Sequence, residues 1–130
     1  MLTCEEAHLL ADYIKGSDPE AIVGVGPVPV EGEDQLFAPG KRGEFLVCAE
    51  KCPNKRGVQR VLGAHFEEVL DFDGFVEKVT DKKTKVAGVL LTGNYPSQWV
   101  TKELKKALTK KFIVLLDTLA SDLSGTANVV

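Results

Sequence analysis

The chain has 130 residues, of which 44% are apolar and 27% are charged, and its formal net charge is −3. This composition is typical of one soluble globular domain and excludes a collagen-like or disordered chain. The negative charge argues against a nucleic-acid partner, and no apolar stretch reaches the roughly 20 residues of a membrane-spanning helix, so direct membrane insertion is not expected.

Helices and strands are predicted to alternate along the chain. Thr3 and Glu6 fit a capping box, which predicts a helix start. Apolar spacing predicts helices over residues 4–15, 56–69, 73–80 and 97–110, and short apolar runs predict strands at 21–27, 45–49, 86–91 and 112–116. Segment 27–43 is broken by Pro and Gly and is predicted to be a long loop. The run 127–130 is expected to begin one more strand, as if the chain were cut there.

Apolar strands that alternate with amphipathic helices predict a mainly parallel sheet covered on both faces. The predicted fold class is therefore α/β, a Rossmann-like three-layer domain over residues 1–130. Ligands of such domains bind outside the carboxyl ends of the strands. The loops after residues 26, 49, 92 and 116 are the expected places for a site. The first of these is a poor phosphate loop, because Pro29 stands where a dinucleotide fingerprint has its third glycine.

The cysteines and histidines give no metal motif. Cys4, Cys48 and Cys52 cannot all pair within one chain, and no signal peptide opens the sequence, so a reducing, cytoplasmic setting is expected. Cys48 and Cys52 lack the two further ligands of a closed zinc or cluster site. His8 and His65 fall on separate predicted helices. We therefore expect no metal site and no catalytic residue in this chain.

Two strand-end loops resemble a known family. Gly93 and Pro96 follow the strand 86–91, while Asp117 ends the strand 112–116 and Ser121 follows it. Together with the apolar run at 127–130, these residues match without gaps the strand-end motifs of the molybdopterin oxidoreductase family. The chain therefore resembles this family over about 45 residues.

A third match precedes the second predicted helix. Asn54 and Gly57 resemble the family's Asn-x-x-Gly turn. The combination of EKCPNKRGV and TGNYPSQW is most similar to the molybdopterin-like region of the large iron–sulfur G subunits of respiratory NADH-quinone oxidoreductases. The resemblance implies a fragment of such a subunit, with iron–sulfur clusters only in the rest of the parent. It also implies, as partners, other domains of its own subunit and other subunits of the complex, which lies peripherally on the cytoplasmic side of the inner membrane.

In catalytic members of the family, these loops hold a molybdopterin guanine dinucleotide. If the pocket is retained, the resemblance implies that the cofactor contacts Gly26, Asn54, Gly57, Gly93, Asn94, Pro96, Asp117 and Ser121. Tyr95, Leu123 and Asn128 depart from the family pattern. Each lost hydrogen bond costs about 1–3 kcal/mol where a buried partner is left unpaired. We therefore expect no cofactor in this fragment and no activity of the isolated domain.

Two alternatives stay open. One is a fragment of an active molybdenum oxidoreductase, such as a formate dehydrogenase, with loops 24–29, 54–57, 93–96 and 117–123 lining the pterin dinucleotide. The other is a Rossmann-like module that binds a nucleotide or a partner chain, in which case the loop 27–43 is the expected contact surface.

Overall fold

The structure is a computed structural model, and it describes residues 2–52, 54–93 and 98–130. The helices are α1 (Cys4–Ser17), α2 (Lys55–His65), α3 (Phe72–Thr80) and α4 (Lys102–Ala107). The strands are β1 (Gln35–Phe37), β2 (Phe45–Val47), β3 (Gly88–Thr92) and β4 (Phe112–Leu116). The described chain thus mixes helices and strands, as predicted. The predicted capping box at Thr3 and Glu6 is present at the start of α1.

The strands β3 and β4 form a parallel pair whose register places Gly88 opposite Phe112 and Thr92 opposite Leu116. Successive side chains of a strand point to opposite faces, and one face of this pair packs against α3 and α4 in the main hydrophobic core. That core consists of Val79, Val89, Leu91, Trp99, Leu104, Ala107, Leu108, Ile113, Leu115 and Leu123. The expected extra strand at 127–130 is reduced to one parallel bridge between Val129 and Val114.

The predicted strand at 21–27 is wrong. Within this segment, Gly24 makes a single parallel bridge to Leu70, supported by hydrogen bonds from Leu70 to Val23 and from Val25 to Leu70. The apolar residues are half-buried, as their composition indicated. They do not form a strand because, among the residues that the structure describes, no segment continues the ladder beyond that bridge.

The predicted loop 27–43 contains the strand β1, which pairs antiparallel with β2. The predicted strand 45–49 is therefore only 45–47, and it belongs to a hairpin instead of a parallel sheet. Gly43 in the connection has a φ of +93°, a conformation that other residues adopt only with strain. Every residue of β1 and β2 is exposed to solvent.

Two helices are shorter than predicted. The helix α2 ends at His65 instead of residue 69, and α4 covers 102–107 instead of 97–110; residue 97 lies outside the described residues. None of the helices in the described residues is long and apolar enough to cross a membrane.

The candidate site lies at a cavity of about 780 Å³. Its lining is largely apolar and comes from α1, α2, the segment 20–28 and the β3–β4 sheet. Representative lining residues are Leu10, Ile14, Val58, Leu62, Leu90 and Val114. Residues of α3 and α4 also line it, among them Phe75 and Leu104, so all four helices and the parallel strand pair border this cavity.

Candidate functional site

The carboxyl end of the parallel sheet brings Gly93 and Asp117 into contact. Thr92 and Leu116 are opposite each other in the register, so the residues that follow them are also neighbours. The Gly93 amide donates to the Leu116 carbonyl oxygen at 2.8 Å. A Cβ atom added at Gly93 would overlap the Asp117 carboxylate. A side chain at position 93 would therefore force the Asp117 carboxylate to move.

The loop after β4 folds around the Asp117 carboxylate. Its Oδ1 accepts hydrogen bonds from the backbone amides of Thr118 at 2.8 Å and Leu119 at 3.4 Å, which is the Asx-turn pattern. Further along, the Ser121 amide donates to Ser124 Oγ at 2.9 Å. The Ser121 hydroxyl oxygen is itself buried and has no hydrogen-bond partner within the described residues. Asp117 is thus engaged locally, whereas Ser121 retains hydrogen-bonding capacity.

Asn54 and Gly57 join the start of α2 to the start of α1. Asn54 occupies the N-cap position of α2, yet its side chain makes no capping hydrogen bond. Its Nδ2 instead donates to the Leu2 carbonyl oxygen at 2.8 Å, and its Oδ1 accepts from the Cys4 thiol at 3.6 Å. A Cβ atom at Gly57 would overlap the Asn54 side chain and lie 2.8 Å from Cys4 Sγ. The Asn-x-x-Gly motif therefore serves the packing of two helices.

Two glycines of α2 are expected to respond oppositely to alanine. Gly57→Ala should destabilise the protein by about 1–3 kcal/mol, because the methyl group overpacks the contact with Asn54 and Cys4. Gly63→Ala is the matched control in the same helix, since nothing lies within 4 Å of its added Cβ. It should stabilise the protein by about 0.5–1 kcal/mol through helix propensity. Urea unfolding measures both, and equal signs would contradict the close contact at Gly57.

The cations that flank Asn54 are paired with carboxylates. Lys55 Nζ lies 2.7 Å from Glu50 Oε1, and Arg56 lies 3.5 Å from Glu50 Oε2 and 3.7 Å from Asp34 Oδ2. The hydrogen bond from Lys55, aided by Arg56, holds the pKa of Glu50 below its ordinary value. These pairs tie the first turn of α2 to the residues flanking the hairpin, so the positive charge beside Asn54 is balanced within the chain.

The cavity collects part of the predicted cofactor set. Gly26, Asn54 and Gly93 line it, and Gly26 has open space where a side chain would project. Gly57, Asp117 and Ser121 are not among its lining residues. Asn94 and Pro96 lie outside the described residues. Three of the eight predicted positions therefore lie around one cavity. Two of these three contact a further predicted position, since Asn54 contacts Gly57 and Gly93 contacts Asp117.

A cluster that the sequence did not reveal lies at the other side of α1. His8 and Asp12 of α1 meet His65 at the end of α2, although 57 residues separate the two histidines. His8 Nδ1 lies 2.8 Å from His65 Nε2, and Asp12 approaches the other ring nitrogens at 3.5 Å on His8 and 3.2 Å on His65. The spacing of His8 and Asp12, four residues apart on a helix, was the available signal.

Comparison of the chain with protein-family models, with curated proteins and with solved structures finds no match. The chain mixes helices and strands, and two glycines make close contacts in it: Gly93 with Asp117 at the end of the parallel strands, and Gly57 with Asn54 at the start of α2. The family resemblance rests on the sequence motifs that place those contacts.

Proposed function

We propose that the chain is a non-catalytic α/β module of a larger oxidoreductase subunit, the large iron–sulfur subunit of a respiratory NADH-quinone oxidoreductase. Three motifs at Asn54–Gly57, Gly93 and Asp117 support membership of the molybdopterin oxidoreductase family. In this proposal the iron–sulfur clusters and the electron transfer belong to the rest of the subunit, on the cytoplasmic side of the inner membrane.

One observation is the main support for a non-catalytic role: the polar side chains of two family motifs form hydrogen bonds with backbone groups of this same chain. Asn54 donates to the Leu2 carbonyl oxygen, and Asp117 accepts the amides of Thr118 and Leu119. A bound guanine dinucleotide would compete for these groups, and each displaced hydrogen bond costs about 0.5–1.5 kcal/mol. These internal hydrogen bonds support a module that holds no pterin dinucleotide.

The exposed hairpin supports a place inside a larger assembly. Leu36 and Phe45 are 52% and 55% exposed, and the rings of Phe37 and Phe45 stack with their centroids 5.0 Å apart. Contiguous exposed apolar surface marks interaction sites in proteins. We assign this hairpin to contact with a neighbouring domain of the same subunit.

A Rossmann-like three-layer arrangement is part of the proposal. The helices α3 and α4 pack on one face of the β3–β4 pair, and α1 and α2 line the cavity that the other face also lines. The bridge between Val129 and Val114 adds a third parallel position beside β4. In the whole subunit, we expect further strands to extend the sheet from this edge.

Isolation of the tagged parent protein from its own cells tests the proposal. Quinone-dependent NADH oxidation should copurify with the tag, together with iron in stoichiometric amount and without stoichiometric molybdenum or tungsten by elemental mass spectrometry. Recovery of the tagged protein without NADH oxidation, or with one molybdenum per chain, would contradict the proposal. An untagged strain controls for adventitious recovery of the enzyme.

The second candidate is a pterin-dinucleotide-binding fragment of an active molybdenum oxidoreductase, and the cavity favours it. Its volume of about 780 Å³ lies within the range of ligand sites, and the open space at Gly26 allows a phosphate to approach the backbone closely. Calorimetric titration of the chain with guanosine diphosphate separates the candidates. The first proposal expects no binding at millimolar nucleotide. Binding that Gly26→Val abolishes would replace it with the second, because that side chain projects into open space.

A further inference from the structure

We propose that His8, Asp12 and His65 form a binding site for one divalent transition-metal ion of the zinc class, which joins α1 to α2. Two imidazoles and one carboxylate are a recurrent ligand set for such ions, with a water molecule in the fourth position. The chain contains two histidines, and the fold brings both to this one place. One ligand atom from each of the three residues falls within 4.8 Å of the others.

The two imidazoles need a small separation to accept an ion between them, and the carboxylate needs a rotation. Zinc holds imidazole nitrogens at about 2.0–2.1 Å, so two nitrogens in a tetrahedral site lie about 3.3 Å apart. The facing nitrogens of His8 and His65 are now 2.8 Å apart. The two imidazoles therefore separate by about half an ångström, and Asp12, whose oxygens now contact the opposite ring nitrogens at 3.5 Å and 3.2 Å, turns its exposed carboxylate toward the ion.

Two of the three ligands belong to α1 and the third belongs to α2. His8 and Asp12 lie one turn apart on α1, the spacing that lets two side chains of a helix chelate one ion. His65 is the last residue of α2 and its side chain is only 14% exposed, so packing restricts its ring. The C-terminal end of a helix carries a partial negative charge that favours a cation.

The neighbouring cation is held away from the ring nitrogens. Lys15 donates to the backbone carbonyl oxygen of His65, and its ammonium group lies 5.8 Å from the centre of the Phe66 ring. Lys15 thus anchors the end of α2 to α1 through backbone, while the imidazole and carboxylate groups face one another. A bound ion would strengthen the same helix contact through side chains.

Nuclear magnetic resonance of the whole chain, labelled with ¹⁵N in its histidines, tests the site with zinc chloride as the probe. Because there are two histidines, single variants assign every imidazole signal. One equivalent of zinc should shift the signals of both rings, and cobalt should give the visible absorption of a coordinated ion. Unchanged imidazole signals in excess zinc would overturn the proposal. This would hold even if zinc bound elsewhere through cysteine thiols.

Matched variants separate coordination from charge. His8→Gln, His65→Gln and Asp12→Asn should each weaken zinc binding at least about tenfold. Glu67→Gln removes a negative charge two residues from His65 without removing a ligand, and it should bind zinc as the original chain does. Retained affinity in Asp12→Asn would exclude Asp12 as a ligand, and an equal loss in Glu67→Gln would mean that Asp12 acts through its charge instead of by coordination; either result would overturn the proposed ligand set. Circular dichroism confirms that each variant is folded.

Discussion

Replacement of Leu115 by alanine is expected to destabilise the protein by about 2–5 kcal/mol, the range for truncating a buried leucine. Leu115 is 0% exposed and lies at the centre of the core that joins β3 and β4 to α3 and α4. Truncation leaves a cavity that the flanking strands cannot fill, since β4 is hydrogen-bonded to β3 along its length. Urea unfolding followed by circular dichroism gives the free energy of unfolding.

The adjacent residue provides the control. Leu116 has the same side chain but points to the other face of the sheet and is 48% exposed. Leu116→Ala should therefore change the free energy of unfolding by no more than about 1 kcal/mol. Equal losses at the two positions would contradict the one-sided burial of this strand, because a leucine on an open face contributes little.

The hydrophobic pattern predicted the position of several helices and strands along the chain. The strand 112–116 has the predicted bounds, and the helix at 73–80 begins one residue earlier than predicted. The helix predicted to end at 69 stops at 65 because Phe66 is extended, with φ −123° and ψ 144°. Val69 fits the helical period by coincidence, and the segment around Leu70 pairs with 23–25 instead. No Gly or Pro marks that stop in the sequence.

Pairing partners were the part that the pattern did not determine. Neither the run 21–27 nor the strand predicted at 86–91 contains a polar side chain, yet the first has one bridge where β3 has a full parallel ladder. A short apolar run indicates burial and leaves its neighbour unspecified. The hairpin β1–β2 was missed for the related reason that prolines and glycines around it indicated a loop, although they lie outside its three-residue strands.

The candidate site also has a part that the sequence could predict and a part that it could not. The sequence motif named Asn54 and Gly57 as cofactor-binding residues, and the structure shows that they contact each other at the start of α2. The other motifs placed Gly93 and Asp117 at strand ends, and the parallel register then made them neighbours. The meeting of His8 with His65 depends on how α1 and α2 pack, which no local pattern in either helix contains.

Replacement of Gly93 by alanine is expected to destabilise the protein by about 1–3 kcal/mol, because the methyl group would overlap the Asp117 carboxylate. Relief requires Asp117 to rotate away, which breaks its hydrogen bonds to the amides of Thr118 and Leu119. Gly125→Ala is the control, since nothing lies within 4 Å of an added Cβ there, and its effect should stay within about 0.5 kcal/mol.

A double-mutant cycle identifies the cause of that loss. Asp117→Ala alone removes the acceptor of two amides, and in its background Gly93→Ala no longer meets a carboxylate. The double variant should therefore be more stable than the sum of the two single effects predicts, by about 0.5–3 kcal/mol. Additive losses would mean that the carboxylate does not rest on Gly93. Coupling would show that this motif residue is a glycine because of a packing contact between two strand ends, whether or not the loops also bind a ligand.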